Sequence, residues 1–155
     1  MATALRGERD LRVPAAGRGH CARAVLALGF GLALMGGAAA AAAVPLNENA
    51  HINDRLFAAR VADRIRKTCP SISARLFYAY GEMKKLERYA LDQGYKRDEI
   101  KAYIKNREEK QRLYAKAEAY LAAHGARPGA AEGFCALGRD EIAKKSLIGS
   151  LLRAH

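Results

Sequence analysis

Between residues 44 and 155, apolar side chains recur every three to four positions, which predicts helices along the whole stretch. The first helix is predicted to begin at Asn53 or Asp54, because either side chain can cap free backbone amides. It should run to about Thr68 and end before Pro70. Its apolar face consists of Phe57, Ala58, Val61, Ala62 and Ile65.

Two further helices are predicted between Ser71 and Lys105. The first of them would be capped by Ser71 or Ser73 and ended by Gly94, since glycine readily adopts the left-handed conformation found after helices. Its apolar stripe, expected to be buried, is Leu76, Tyr80, Met83, Leu86 and Ala90. A short helix over residues 98–105 would then bury Ile100, Tyr103 and Ile104.

The polar run of residues 105–112 leaves two interpretations open. Either a helix continues through it exposed, or the chain breaks at Asn106, whose spacing to Glu109 fits a capping box. A fourth apolar stripe then ends at Gly125 and consists of Leu113, Tyr114, Ala117, Tyr120 and Leu121.

Residues 125–133 contain Pro128 and three glycines and are predicted to form a loop. A final helical stretch, in one piece or two, covers Phe134 to Leu152. Sustained alternation of apolar and polar residues is absent, so no strand is predicted. The expected fold class is all-α, a small bundle of four to five helices.

Residues 1–43 have the composition of a targeting segment. Five arginines precede an uncharged run from Ala24 to Ala43, which ends in the small residues that signal peptidase accepts. We therefore expect a signal peptide over residues 1–43, cleaved after Ala43 or at a neighbouring alanine. The alternative is an uncleaved membrane anchor, since the run is long enough to span a bilayer, but alanine and glycine contribute little transfer free energy.

The part that remains, residues 44–155, is long enough for one helical domain and strongly basic. The leader holds five of the 27 basic residues and two of the 16 acidic ones, so 22 basic residues face 14 acidic ones. Of the three cysteines, only Cys69 and Cys135 follow the leader. An even pair in an exported chain is most simply explained by one disulfide bond, while two buried free thiols would fit a cytoplasmic protein.

Several short motifs resemble DUF5333, a domain-of-unknown-function family of small exported proteins from alphaproteobacteria. The similarity involves residues 69–75 (CPSISAR), Gly94-Tyr95 before Glu99-Ile100, residues 135–143 (CALGRDEIA), residues 117–120 and the end of the chain. The resemblance implies a signal peptide and a helical domain with two cysteines, and it implies no established activity. Lys96 departs from the family, which typically has a serine there that could cap the third helix.

The residues that could support catalysis or metal binding are few. His51, His124 and His155 stand at a chain entry, a predicted helix end and the C-terminus, without ligands at helix-face spacing. The adjacent carboxylates Glu108-Glu109 and Asp140-Glu141 do not face one another on a helix, and both pairs are expected near helix starts, where the helix dipole favours them. No catalytic residue, metal site or cofactor is therefore predicted.

Tyrosines and basic residues interleave in the middle of the chain, as in surfaces that bind nucleic acid. Helical spacing instead assigns Tyr80, Tyr103, Tyr114 and Tyr120 to apolar stripes. The basic residues define what we call the basic band: Lys84, Lys85, Arg88, Lys96, Arg97, Lys101, Lys105, Arg107, Lys110 and Arg112. A solvated face is its default explanation, and electrostatic association with an anionic surface is the functional one.

These observations favour a non-enzymatic binding or interaction module, periplasmic or secreted after cleavage. The sequence does not identify its partner, and an envelope protein or an anionic envelope surface are the candidates. The alternative is a cationic protein that associates with envelope surfaces or nucleic acid, of which nucleic acid is less favoured. A third class is an enzyme with a pocket of convergent polar groups, such as Arg139 with Asp140 or Glu141.

Overall fold

The computed structural model of the protein describes residues 44–155, and the expected signal peptide over residues 1–43 lies outside them. The described part is mostly helical, as predicted, and it also contains two short strands. Its elements, in chain order, are α1 (Ala50–Thr68), β1 (Ile72–Ala74), α2 (Leu76–Asp92), α3 (Arg97–Lys105), α4 (Arg107–Ala123), α5 (Ala131–Ala143), α6 (Leu147–Ser150) and β2 (Leu152–Ala154). None of the helices within this part is both long and apolar enough to cross a membrane.

Helix α1 is the centre of the main core. Its residues Val61 and Ile65 are fully buried against Ala117 and Leu121 of α4 and against Phe134 of α5. Because the apolar side chains of α1 follow the helical period, one face of the helix meets both partners at once. Burial of these side chains removes apolar surface from water and stabilises the fold by about 1.5–3 kcal/mol for each large one.

A second, smaller cluster joins α2 and α3 to the first turns of α1. Ile52, Leu86, Ala90 and Tyr95 are buried in it. The hydroxyl group of Tyr95 donates a hydrogen bond to the carbonyl oxygen of Val44 at 2.5 Å and accepts one from Asn49 at 3.2 Å. Tyr95 therefore fastens the entry of the described chain to the junction between α2 and α3.

Two helix starts differ from the predictions. Helix α1 begins at Ala50, because the side chain of Asn49 accepts a hydrogen bond from the amide of Ile52, whereas the amide group of Asn53 donates to the carbonyls of Leu46 and Asn49. Helix α2 begins after Arg75 without a side-chain cap. The prediction that Ser71 or Ser73 caps α2 was wrong, because the N-cap position is occupied by Arg75. Ser73 lies two residues earlier, within β1.

The break at Asn106 is confirmed, and the continuous exposed helix is excluded. The side chain of Asn106 accepts a hydrogen bond from the amide of Glu109 at 3.0 Å and caps α4. Helix α3 begins at Arg97 although Lys96 offers no serine-like cap. The amide of Lys96 instead donates to the carboxylate of Glu99 at 2.8 Å, which satisfies one backbone group at that end.

The C-terminal stretch is divided into two helices and a strand, so the prediction of helix up to Leu152 was wrong at its end. Residues Leu152–Ala154 pair antiparallel with Ile72–Ala74, and Ser73 is opposite Arg153. The amide of His155 also donates to the carbonyl of Ser71 at 3.1 Å. These strands have three residues each, too few for a period of two to be recognised in the sequence.

The predicted disulfide bond joins Cys69, directly after α1, to Cys135 in the second turn of α5. The two Cα atoms are 5.0 Å apart, and the residues are 66 positions apart in sequence. The bond lies beside Ile72 and Phe134 in the main core. It therefore links the central helix to one of its two main packing partners.

Candidate apolar binding site along helix α2

Five large apolar side chains in the first two turns of α2 are exposed; one of them, Tyr78, is 38% exposed with Arg75 over its ring, and the other four project further into solvent. Leu76 is 68% exposed, Phe77 97%, Tyr80 66% and Met83 42%. We refer to these four residues as the α2 surface. The prediction that the whole stripe from Leu76 to Ala90 is buried was wrong, since only Leu86 and Ala90 of that stripe are buried.

The reason is that α1 faces this part of α2 with small side chains. Ala58, Ala59 and Ala62 line the space between the two helices and leave a cleft of about 200 Å³, which we call the α1–α2 cleft. Leu147 and Leu151 close it at the C-terminal end of the chain. Alanine side chains do not extend far enough to fill the gap, so Leu76 and Met83 remain at its edge.

The charges around the α1–α2 cleft balance. Arg55 and Arg66 lie in its wall together with Asp63 and Glu82. Arg66 contacts Asp63 at 2.5 Å, and Arg55 lies 3.9 Å from Glu82. Burial raises the pKa of Asp63, but hydrogen bonds from Lys67 and Arg66 outweigh this effect and leave the pKa lowered.

A second cleft of about 290 Å³ lies on the other side of α2, and we call it the α2–α3 cleft. Its floor is the smaller core cluster, with Ile52, Leu86 and Ile100 at the bottom, and Tyr80 and Ile104 stand at its mouth. Met83 and Leu86 line both clefts and separate them.

The wall of the α2–α3 cleft is basic. It contains Lys84, Arg97 and Lys101 but one carboxylate, that of Glu87. The carboxylate of Glu87 accepts hydrogen bonds from Lys84 at 3.2 Å and from Arg97 at 2.7 Å. The hydrogen bond and the charge of Lys84 lower the pKa of Glu87, so this carboxylate is ionised at neutral pH.

The remaining residues with potential chemistry are spread over the domain. His51 stacks on Tyr89 with 4.1 Å between ring centroids, and His124 ends α4 with its ring nitrogen 2.8 Å from the carbonyl oxygen of Tyr120. His155 is exposed at the end of the chain. Within residues 44–155, no three His, Cys, Asp or Glu side chains form a group that could hold a metal ion.

The two carboxylate pairs have different surroundings. Glu108 and Glu109 stand in the first turn of α4, as predicted. The prediction that Asp140 and Glu141 lie near a helix start was wrong: α5 begins at Ala131, so both occupy its last turns. The negative charge of Asp140 is neutralised there by an ion pair with Lys144 at 2.5 Å.

Glu141 is a buried carboxylate, whereas Arg139 is exposed. It accepts hydrogen bonds from the hydroxyl groups of Tyr120 and Ser146. Ser146 also caps α6 by accepting from the amide of Gly149. Glu141 thus connects α4, α5 and α6, and the structure does not bring Arg139 and Glu141 together as a polar pocket.

The predicted tyrosine positions are correct for some residues and wrong for others. Tyr103 and Tyr120 are half-buried; Tyr120 packs against the main core, and Tyr103 donates a hydrogen bond to Asn53 at 2.6 Å. Tyr80 and Tyr114 are exposed instead, because none of the elements described within residues 44–155 covers those faces of α2 and α4. Each has a cation over its ring, Lys84 at 5.8 Å and Arg60 at 4.0 Å.

Half of the basic band forms ion pairs on the surface. Its paired members are Lys84, Lys85, Arg97, Lys101 and Arg112. Among residues 44–155, no carboxylate lies within 4.0 Å of the other five, which are all exposed: Arg88, Lys96, Lys105, Arg107 and Lys110.

Comparison with known proteins identifies the family. The sequence pattern of the family of unknown function DUF5333 matches residues 44–153. The chain belongs to the DUF5333 family. No curated protein and no solved structure matches the chain. The DUF5333 match covers all six helices, β1 and the first two residues of β2, and it includes both cysteines and the residues of the α2 surface.

Sequence reasoning missed the α2 surface of this DUF5333 protein. Helical spacing assigned Leu76, Tyr80 and Met83 to the core, and Phe77 lies outside that stripe. One signal was available: Leu76, Phe77 and Tyr78 are consecutive, and three adjacent side chains on a helix cannot all point to one core.

Proposed function

We propose that this DUF5333 protein is a non-enzymatic binding module that takes an apolar or amphiphilic partner on the α2 surface and in the two clefts beside it. The observation that carries the proposal is the near-complete exposure of Phe77 next to Leu76, Tyr80 and Met83. Contact of contiguous apolar side chains with water is unfavourable in free energy, and such patches mark surfaces that are covered by a partner. Concave apolar spaces beside them provide the shape that small-molecule and peptide sites share.

The proposed location is the periplasm or the exterior of the cell after cleavage of residues 1–43. The disulfide bond between Cys69 and Cys135 supports it, since such bonds persist mainly in oxidising compartments. The intact mass of the protein recovered from the envelope tests the proposal. A chain that begins near Val44 is expected, whereas the full-length mass in the membrane fraction would identify an anchor.

Association with an anionic envelope surface is the second candidate function. Five exposed members of the basic band support it, because no carboxylate of residues 44–155 lies within 4.0 Å of them and their charge can attract lipid phosphates or acidic saccharides. Such binding weakens as salt screens the charges. Release of the protein from isolated envelopes at high salt would favour this candidate over an apolar site, and the same measurement with added DNA tests nucleic acid.

The apolar site is tested with a neutral probe whose fluorescence rises in apolar surroundings, N-phenyl-1-naphthylamine. We expect saturable binding that Tyr80→Ser or Phe77→Ser weakens. Tyr114→Ser is the matched control, because Tyr114 is also an exposed tyrosine with a cation over its ring but lies outside both clefts. Equal binding by the Tyr80 and Tyr114 variants would contradict the proposed site.

A further inference from the structure

The α2–α3 cleft combines an apolar floor with a positively charged wall. Ile52, Leu86 and Ile100 present only carbon atoms at the bottom. Above them, Lys84, Arg97 and Lys101 outnumber Glu87, so the ionisable side chains that line the cleft have a formal charge of +2. A ligand that fits both parts has an apolar body and an anionic group at one end.

The cations in this wall are available to such a ligand. Lys84 and Arg97 share a single carboxylate, and Lys101 lies 3.7 Å from Asp98, which is itself 97% exposed. Ion pairs in contact with water contribute little free energy, so an incoming anion can replace them at small cost. Arginine and lysine side chains then bind a carboxylate through charge-assisted hydrogen bonds.

The neighbouring cleft provides an internal comparison. The α1–α2 cleft is also apolar and shares Met83 and Leu86, yet its two arginines are balanced by Asp63 and Glu82. The excess of positive charge is therefore specific to one side of α2 and does not simply follow from the basic composition of the chain. A ligand with an anionic group should therefore prefer the α2–α3 cleft, whereas a neutral apolar molecule should have no electrostatic preference between the two clefts.

The size of the cleft limits the ligand. Its volume of about 290 Å³ is just below that of typical small-molecule sites, which range from roughly 300 to 1,000 Å³. One alkyl chain of medium length fits this space, and a lipid with two chains does not.

We propose that the α2–α3 cleft binds a single-chain fatty acid, with the chain on the floor formed by Ile52, Leu86 and Ile100 and the carboxylate beside Arg97 and Lys101. This inference rests on the proposed function and adds the chemical class of its ligand. The mouth of the cleft, between Tyr80 and Ile104, is the entry for the chain.

The test uses the protein purified from the cells that produce it. Three probes share the same ten-carbon chain: decanoate, decanol and decyltrimethylammonium. Titration calorimetry is carried out below the micelle-forming concentrations of decanoate and decyltrimethylammonium and below the solubility limit of decanol. It should show one decanoate per chain, with weaker binding of decanol and weaker still of the cation. Arg97→Gln with Lys101→Gln should weaken decanoate binding on the order of tenfold, because charge-assisted hydrogen bonds are lost. Binding of decanol should be unchanged by these substitutions.

The matched control is Lys96→Gln with Lys105→Gln, which removes the same charge from the same part of the chain but outside the cleft. Equal loss of decanoate affinity in both double variants would contradict the proposed site, because the loss would then depend only on the net charge of the protein. Ile104→Ser, at the exposed mouth, should weaken both decanoate and decanol.

Two further outcomes separate this inference from the proposed function. If decanol and decanoate bind equally well, and substitution of Arg97 and Lys101 changes neither affinity, the proposal of an anionic ligand is wrong. The proposal of an apolar site is then still supported. If neither these probes nor N-phenyl-1-naphthylamine bind, both proposals fail. Binding to vesicles of phosphatidylglycerol without binding to decanoate would also overturn the fatty-acid site and indicate a bilayer surface as the partner.

Discussion

The hydroxyl group of Tyr120 on α4 donates a hydrogen bond to the buried carboxylate of Glu141 on α5, at 2.5 Å. Burial and this hydrogen bond raise the pKa of Tyr120 from 10.0 to about 12. The folded protein thus holds the phenolic proton more tightly than the unfolded chain. The stabilisation is fully present below pH 10 and is lost as the pH rises from 10 through 12.

Replacement of Tyr120 by Phe should lower the free energy of unfolding at pH 7 by about 1.5–3 kcal/mol, since a charged acceptor loses its donor in a buried place. The ring can keep its edge-on contact with Phe57 at 5.4 Å. Denaturant unfolding between pH 9 and 12 provides the measurement. Stability of the variant should fall less over this range than that of the wild type, and parallel curves would contradict the role of Tyr120. Tyr80→Phe is the control, because its hydroxyl group is on an exposed side chain.

The disulfide bond should be a major source of stability. Cys69→Ser or Cys135→Ser is expected to lower the free energy of unfolding by about 2–5 kcal/mol, because the bond closes a long loop and restricts the unfolded chain. The double variant should be no less stable than either single variant, since one shared bond is lost in each. Urea unfolding measures this, and reductant should have no effect on the double variant. Thiol labelling of Cys69 or Cys135 in denatured, unreduced protein would contradict the bond.

Two helical glycines should respond in opposite directions to alanine. A Cβ atom on Gly138 would lie 2.4 Å from Cδ1 of Ile72 and 2.7 Å from Cγ2 of Ile65, whereas one on Gly81 would meet no atom within 4 Å. Gly138→Ala should destabilise the protein by about 1–3 kcal/mol through overpacking. Gly81→Ala should stabilise it by about 0.4–1 kcal/mol, because the unfolded chain loses conformational freedom. Thermal unfolding compares the two, and a change of the same sign in both would contradict this packing.

Lysines of the basic band should be dispensable for folding. Exposed ion pairs contribute little to stability, so replacement of Lys84, Lys85, Lys101 and Lys105 by Gln should leave the melting temperature nearly unchanged. The same variant should be retained less on isolated envelopes if retention is electrostatic. Unaltered retention would show that these four lysines do not contribute to the cationic surface.

The sequence was sufficient to predict the helices and insufficient to predict what covers them. Apolar periodicity identified both the face of α1 around Val61 and Ile65 and the stripe of α2 that begins at Leu76. The first is buried because α4 and α5 pack on it, whereas the α1 alanines opposite Leu76 leave a gap. Periodicity reports that a helix has an apolar face, but the long-range packing that buries or exposes this face is not encoded in the local pattern.

Local signals were ambiguous in the same way at the helix starts and in the strands. Asn49 and Asn53 are both capping residue types, and the choice between them depends on the carbonyl of Leu46, which lies beside Asn53 after folding. Strand β1 exists because Leu152–Ala154, at the other end of the domain, lies beside it. The basic wall of the α2–α3 cleft likewise arises from two helices whose relative position the sequence does not state.

The central position of α1 has a consequence for the order in which the protein is made. Helix α1 is synthesised before all the elements that bury it, and Val61 and Ile65 gain their main partners only after residues 117–137 have been added. Until then the nascent chain exposes an apolar stripe, the kind of surface that chaperones bind and that promotes aggregation. A fragment that ends before α5 contains α1 and α4 but lacks Phe134 and Leu137, so the main core is complete only once almost the whole domain has been synthesised.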